Sequence, residues 1–158
     1  MAGDKKQKLA LKVSNTIKKY LDSQKWRYSV SNDQLGFSFG ITTDRLPFQY
    51  QISVSPESES VYLSVGQDLV VPHDKRIAMA YALCAVNDYL VDGCFDYSVS
   101  EGKMSFRVVV AYGDAEFGAT TVEYMINVAY STLNKLNDAI VDYVEDRIDQ
   151  REFLGKML

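Results

Sequence analysis

Histidine, cysteine and proline are scarce in this chain, at one, two and three residues among 158. The lone His73 leaves no imidazole pair for a zinc site, and one candidate at most for a Ser-His or Cys-His nucleophile. Cys84 and Cys94 make neither a disulfide framework nor a CxxC motif. Cys84 sits in an apolar helical stretch and reads as a small buried hydrophobe. No apolar run is long enough for a signal peptide or a membrane span, so the expectation is a cytoplasmic protein away from membranes. Gly36, Gly40 and Gly66 belong to no phosphate-binding loop, because no GxxxxGKS-type or GxGxxG pattern precedes a helix. The acidic run Asp138, Asp142, Glu145, Asp146 and Asp149 lacks the alternating oxygens and central glycine of a calcium loop. Asp88 and Asp92, beside Asn87, read as the solvated end of a helix rather than a cleft with His73 or Arg76. The expectation is a protein that is not an enzyme, with no catalytic residue, cofactor or metal.

What is present is the composition of an ordinary globular domain, 47% apolar and 24% charged. Residues 1–158 are expected to form one domain, large enough for a core without disulfide or metal staples. Net charge is −4 but uneven: residues 1–27 carry eight bases against two acids, and the remainder is acidic. An acidic whole argues against a nucleic-acid binder. The lysines of residues 5–25 leave a weak anionic-polymer reading, set against a solvated face or one lying beside the acidic last helix.

The first helix is expected over about residues 5–23, with Asp4 as N-cap and Leu9, Val13, Ile17, Tyr20 and Leu21 on one side. Trp26, Tyr28 and Val30 suggest an extended lead-in or the start of a sheet. Three period-two runs follow: Leu35 to Ile41, Phe48 to Val54, and Val61 to Val65. Short connections make them an antiparallel meander with one face on a core. The opposite face consists of Ser, Gln, Thr, Gly and one Tyr, with almost no Lys or Glu. So little charge makes it a candidate surface for a partner, represented by Ser38, Gln49, Gln51, Tyr62 and Arg107.

Pro72 leads a second helix expected over about residues 73–91. Its apolar residues spread over most of the circumference, with alanines between them, so more than one side must be covered. The sheet can cover one side. A symmetry mate is the preferred cover for the other, and a homodimer seam is placed on Ile77, Ala78, Tyr81, Ala82, Ala85, Asp88 and Tyr89. Asp92-Gly93 should end this helix. Phe95 to Val99 and Met104 to Val110 then form a hairpin about Glu101-Gly102.

The last helix is expected from a capping box at Thr120 and Glu123 and to run unbroken over 121–150, about 45 Å. Its acidic end would then project or meet a partner. Residues 150–158 would be a frayed tail or a contact segment. The order α-β-β-β-α-β-β-α defines an α+β fold with one five-stranded antiparallel sheet and three helices.

Over residues 61–144 the chain resembles the YbjN family, bacterial proteins labelled as sensory-transduction regulators. The resemblance rests on VYLSVG, the Pro-led VPHDKRIAMAYALCAVNDYL with Asn87 late in its helix, DGCFDYSV, the turn EGKMSFRVVV and a long final helix. Residues 1–60 match by element type only. The resemblance implies a fold similar to that of the type III secretion chaperones, homodimers that bind extended segments of client proteins. It carries over no catalytic residue. The expected function is a cytoplasmic, chaperone-like or regulatory protein-binding module acting as a homodimer. The alternative is a small-ligand sensor with a pocket between sheet and helices near Tyr81, Asn87 and Tyr97.

Overall fold

A computed structural model describes residues 2–158. Helix α1 (Ala2–Ser23) leads to a two-residue strand β1 (Ser29–Val30), then β2 (Gly36–Ile41), β3 (Phe48–Ser55) and β4 (Ser60–Gly66). A single 3-10 turn (His73–Lys75) opens α2 (Arg76–Tyr89); β5 (Cys94–Ser98), β6 (Lys103–Ala111), α3 (Ala119–Val144) and α4 (Gln150–Met157) complete the chain. The sheet is antiparallel throughout, in the order β1-β2-β3-β4-β6-β5.

The α+β class holds, but there are six strands and four helices where five and three were expected. The sixth strand is the lead-in, whose Ser29 and Val30 pair with Ser38 and Phe37. The fourth helix arises because α3 stops at Val144, after about 39 Å, instead of running through residue 150. Residues 150–158, expected as a tail, supply α4, whose Phe153 and Met157 are buried. Asp149 caps it, accepting from Glu152 N at 2.8 Å. The capping box expected for α3 is absent: Gly118 is its N-cap, with no side-chain hydrogen bond.

Alternation along each strand builds the core. Phe37, Ile52, Leu63 and Val108 align across one inner row, and Phe39, Tyr50, Val65, Phe106 and Phe95 across the next. All nine are buried. Ile17 and Leu21 of α1, Met79 and Leu83 of α2, and Met125, Ile126 and Ile140 of α3 close over this face.

Polar side chains of α2 and its leading turn fasten neighbouring backbone. Arg76 Nε donates to Val71 O at 3.0 Å, and its Nη1 donates to Ser100 O at 2.5 Å, holding the β5–β6 turn. Gly102 sits there with φ of 72°, where a Cβ would lie 2.4 Å from Val71 O, so only glycine fits. Lys75 is buried, and its Nζ donates to Tyr143 O at 2.6 Å, Val144 O at 3.2 Å and Asp146 Oδ1 at 2.6 Å. It caps the C-terminal end of α3, where helix carbonyls lack partners.

Two predictions follow from these contacts. Replacing Lys75 by Met strands the α3 carbonyls in a buried setting and should cost about 1–3 kcal/mol in denaturant unfolding, with faster amide exchange in α4. Asp142 accepts from Arg147 Nε at 2.7 Å and is also paired with Arg45. These bonds, Arg147's first, hold its carboxyl below the ordinary aspartate value against the opposing effect of desolvation. A depressed folded pKa stabilises above the unfolded value and loses that contribution as pH falls through the folded one. Carboxyl NMR should therefore show Asp142 titrating below the ordinary aspartate value, and moving up towards it in Arg147→Ala.

Candidate functional site

The outer sheet face is the mirror of the core pattern. Its central row runs Ser29, Ser38, Gln51, Ser64, Arg107, Cys94 across all six strands. One flanking row is Gly40, Gln49, Gly66, Ser105, Asp96, and the other Gly36, Ser53, Tyr62, Val109. At the usual strand spacing the face is about 24 Å across. Among the described residues, nothing covers it: Ser38, Gln49, Gln51 and Ser53 are exposed, as are Tyr62 at 37% and Val109 at 48%. The five residues expected as a partner surface thus lie together on one face.

The charges at the heart of this surface cancel. Arg107 grips Asp96 with two bonds, Nε to Oδ2 at 2.7 Å and Nη2 to Oδ1 at 3.0 Å. The bond to Asp96 and its charge raise the Arg107 pKa still further. Tyr62 and Val109, directly opposite one another on β4 and β6, add an apolar patch beside the pair. The result is a shallow surface of small hydroxyls and glycine backbone, with two glutamines, one tyrosine and one neutralised ion pair standing above it. Such a face makes hydrogen bonds and close backbone contact; it holds no nucleophile with a base beside it.

The residues named for the second expected surface divide between two sides of α2. Ile77, at 73% exposure, Tyr81, Cys84 and Asp88 lie along the solvent side of α2, with half-buried Ala85 between them. Tyr81, Cys84, Ala85, Asn87 and Asp88 line an open depression of about 500 Å³. Ala78 and Ala82 do not belong to this side: both are buried, on the stripe with Met79, Leu83 and Val86 that packs in the core. Tyr89 is exposed, but its hydroxyl donates to Met157 O at 3.2 Å. Cys84, expected inside, is exposed. It follows Tyr81 by three positions, so it shares Tyr81's side of the helix.

Of the residues named for a sensor pocket, Tyr81 and Asn87 line the open depression on α2, and Tyr97 is not among its lining residues. Both polar atoms of the Asn87 side chain are used by Phe95, Oδ1 accepting from its N at 2.7 Å and Nδ2 donating to its O at 3.0 Å. Asn87 therefore fastens α2 to β5. Tyr97 is half-buried, and its hydroxyl has no hydrogen-bond partner, whereas Tyr81 faces solvent. Burial raises the Tyr97 pKa. Among the described residues no group of three or more His, Cys, Asp or Glu could hold a metal.

Helix α1 does pack against α3, but among the described residues its ion pairs are Lys8 with Asp4 and Lys6 with Glu59. Among the described residues no helix is long and apolar enough to cross a membrane. What sequence reasoning missed is α4 and the groove beneath it, although Asp149 and Glu152 have the spacing of an N-cap and its box partner.

The fold class is therefore α+β, one antiparallel sheet with helices on one face and the other face bare. Two solved structures share it. One is YbjN from E. coli, described as a candidate transcription regulator, with a TM-score of 0.56, 11% identity, and coverage of 75% of this chain and 84% of that one. The other comes from the ExsC–ExsE complex, with a TM-score of 0.56, 15% identity, and coverage of 78% and 89%. These likenesses agree with the resemblance carried by residues 61–144, and at such identities they speak for the fold alone. No family model and no curated protein sequence matches the chain.

The Asn87 fastening is testable apart from function. Asn87→Ala leaves the Phe95 amide and carbonyl without partners and should cost about 1–3 kcal/mol in chemical unfolding. Asn87→Asp should be intermediate, because it keeps the acceptor and loses the donor.

Proposed function

We propose that this protein is a non-enzymatic, cytoplasmic protein-binding module, chaperone-like or regulatory in role, that acts as a homodimer. The observation that carries the reading is the bare outer face of the sheet. Six strands display small polar residues whose one central ion pair is internally neutralised, a surface that meets a polypeptide without desolvating an unpaired charge. The likeness of fold to the ExsC–ExsE complex supports this direction, since that structure is itself a complex. The second copy is assigned to the solvent side of α2, where Ile77, Tyr81, Ala85 and Asp88 follow one another at helical spacing. Ala78 and Ala82 are withdrawn from that seam because they serve the core.

Light scattering at micromolar concentration should give the mass of two chains. Ile77→Lys should give one chain that still melts cooperatively, since within a single chain the native side chain is solvent-facing. A strictly monomeric native protein would remove the homodimer from the reading. For the sheet face, a polypeptide captured by the native chain in an extract of its host should be lost with Gln51→Arg and Ser64→Arg combined. Equal capture by the doubly substituted chain would remove the sheet face from the reading.

A further inference from the structure

The stretch Val144 to Glu152 contains neither Gly nor Pro and prolongs the helical spacing of α3, yet the helix ends at Val144 and the chain folds back. The helix ends in backbone bonds, Asp146 N to Tyr143 O at 3.4 Å and Arg147 N to Asp142 O at 2.8 Å, and side chains brace the break. Lys75, from the turn before α2, takes the Tyr143 and Val144 carbonyls and the Asp146 carboxylate. Arg147 pairs with Asp142, and Asp146 adopts a φ of 60°, a left-handed conformation that costs a non-glycine residue energy.

Beyond the break, α4 lies across α2 and α3. Phe153 is fully buried and stacks on Tyr143 with ring centroids 4.2 Å apart. Met157 is buried too, with its carbonyl on the Tyr89 hydroxyl. Past Tyr89 the space between α2 and α3 continues as an unfilled cleft of about 330 Å³, lined by Val86, Leu90, Thr132 and Leu136 with Lys135 at its edge.

We propose that α4 is an exchangeable occupant of a helix-docking groove, and that the external ligand of this groove is an amphipathic helical segment of a partner protein. This rests on the protein-binding reading above and adds a second site to it. The built-in occupant states the chemistry required: an aromatic ring to stack on Tyr143, then Met or Leu four positions on. A longer segment would continue into the open cleft beyond Tyr89. When α4 leaves, residues 145–149 join α3 as one helix, which their composition permits. Tethering gives α4 a high effective concentration, so a partner meets the groove only for the fraction of time that α4 is out.

The probe is a fluorescent peptide of residues 149–158, DQREFLGKML, added to the full chain. Phe153→Ser removes the anchor of α4 and leaves the groove intact. Saturable binding to that variant should be at least about tenfold tighter than to the native chain, because the competing occupant is weakened. Adding Tyr143→Ala should abolish it. Asp146→Ala and Asp146→Gly both lose the Lys75 contact and differ in how readily they take the left-handed conformation, so peptide affinity should be higher for Asp146→Ala than for Asp146→Gly. Absence of saturable binding to a Phe153→Ser chain that still melts cooperatively, or equal binding to it and to the native chain, overturns the proposal. If Phe153→Ser does not fold, the Asp146 pair decides, and equal affinities overturn it. A two-chain mass that appears only with Asp146→Ala puts a second copy's α4 in the groove and overturns the partner assignment. Ile77→Lys and the sheet-face substitutions should leave peptide binding unchanged, so the two readings fail separately.

Discussion

Strict alternation along the strands is the constraint on which the rest of the structure depends. Side chains leave a pleated strand on opposite sides in turn, so each of β2, β3, β4 and β6 must commit one set to each face. Here the apolar set is large and aromatic, with Phe37, Phe39, Phe48, Tyr50 and Phe106 all inward, and it needs a thick cover. All the long helices are drawn to that side. The opposite face is left with Ser, Gly and Gln, too polar to attract a helix of the same chain. Its bareness is a consequence of how the core was satisfied.

The polar residues that look most functional in the middle of the chain turn out to hold backbone. Lys75 ends α3, Arg76 ties the β5–β6 turn, and Asn87 joins α2 to β5. Each supplies donors or acceptors to main-chain groups that have no strand or helix partner, which buried peptide groups require. Their side-chain donors and acceptors are committed to backbone in this way. Two patches on the surface are apolar: the α2 stripe of Ile77 and Tyr81, and the sheet patch of Tyr62 and Val109. Surfaces of this composition suit polypeptide contact. Lys75 has a further consequence, since the turn it holds decides whether α4 covers the α2–α3 groove.

Much of this was legible beforehand, and the failures share a cause. Phe48, Tyr50, Ile52 and Val54 announce β3 and its inward face unaided, and the same holds for β4 and β6. Register placed Ser38, Gln51 and Arg107 in one row, as the alternation implied. An apolar run without polar punctuation does not say which of its sides meets the sheet. Ala78 and Ala82 were therefore assigned outward, and Cys84 inward, when tertiary packing chose the reverse. The break after Val144 carries no Gly or Pro: Asp146 takes the left-handed position usually given to glycine, and Lys75, distant in sequence, meets the carbonyls there. Strand β1 is two exposed residues, too short for any period to show.

The central claim, that the bare sheet face is an interaction surface, is tested most directly by tyrosine nitration read by mass spectrometry, with and without an extract of the native host. Tyr62 is on that face, and Tyr124 on α3 is exposed elsewhere and serves as the reference. The account predicts that the extract protects Tyr62 and leaves Tyr124 unchanged. Equal nitration of Tyr62 in both conditions would contradict it.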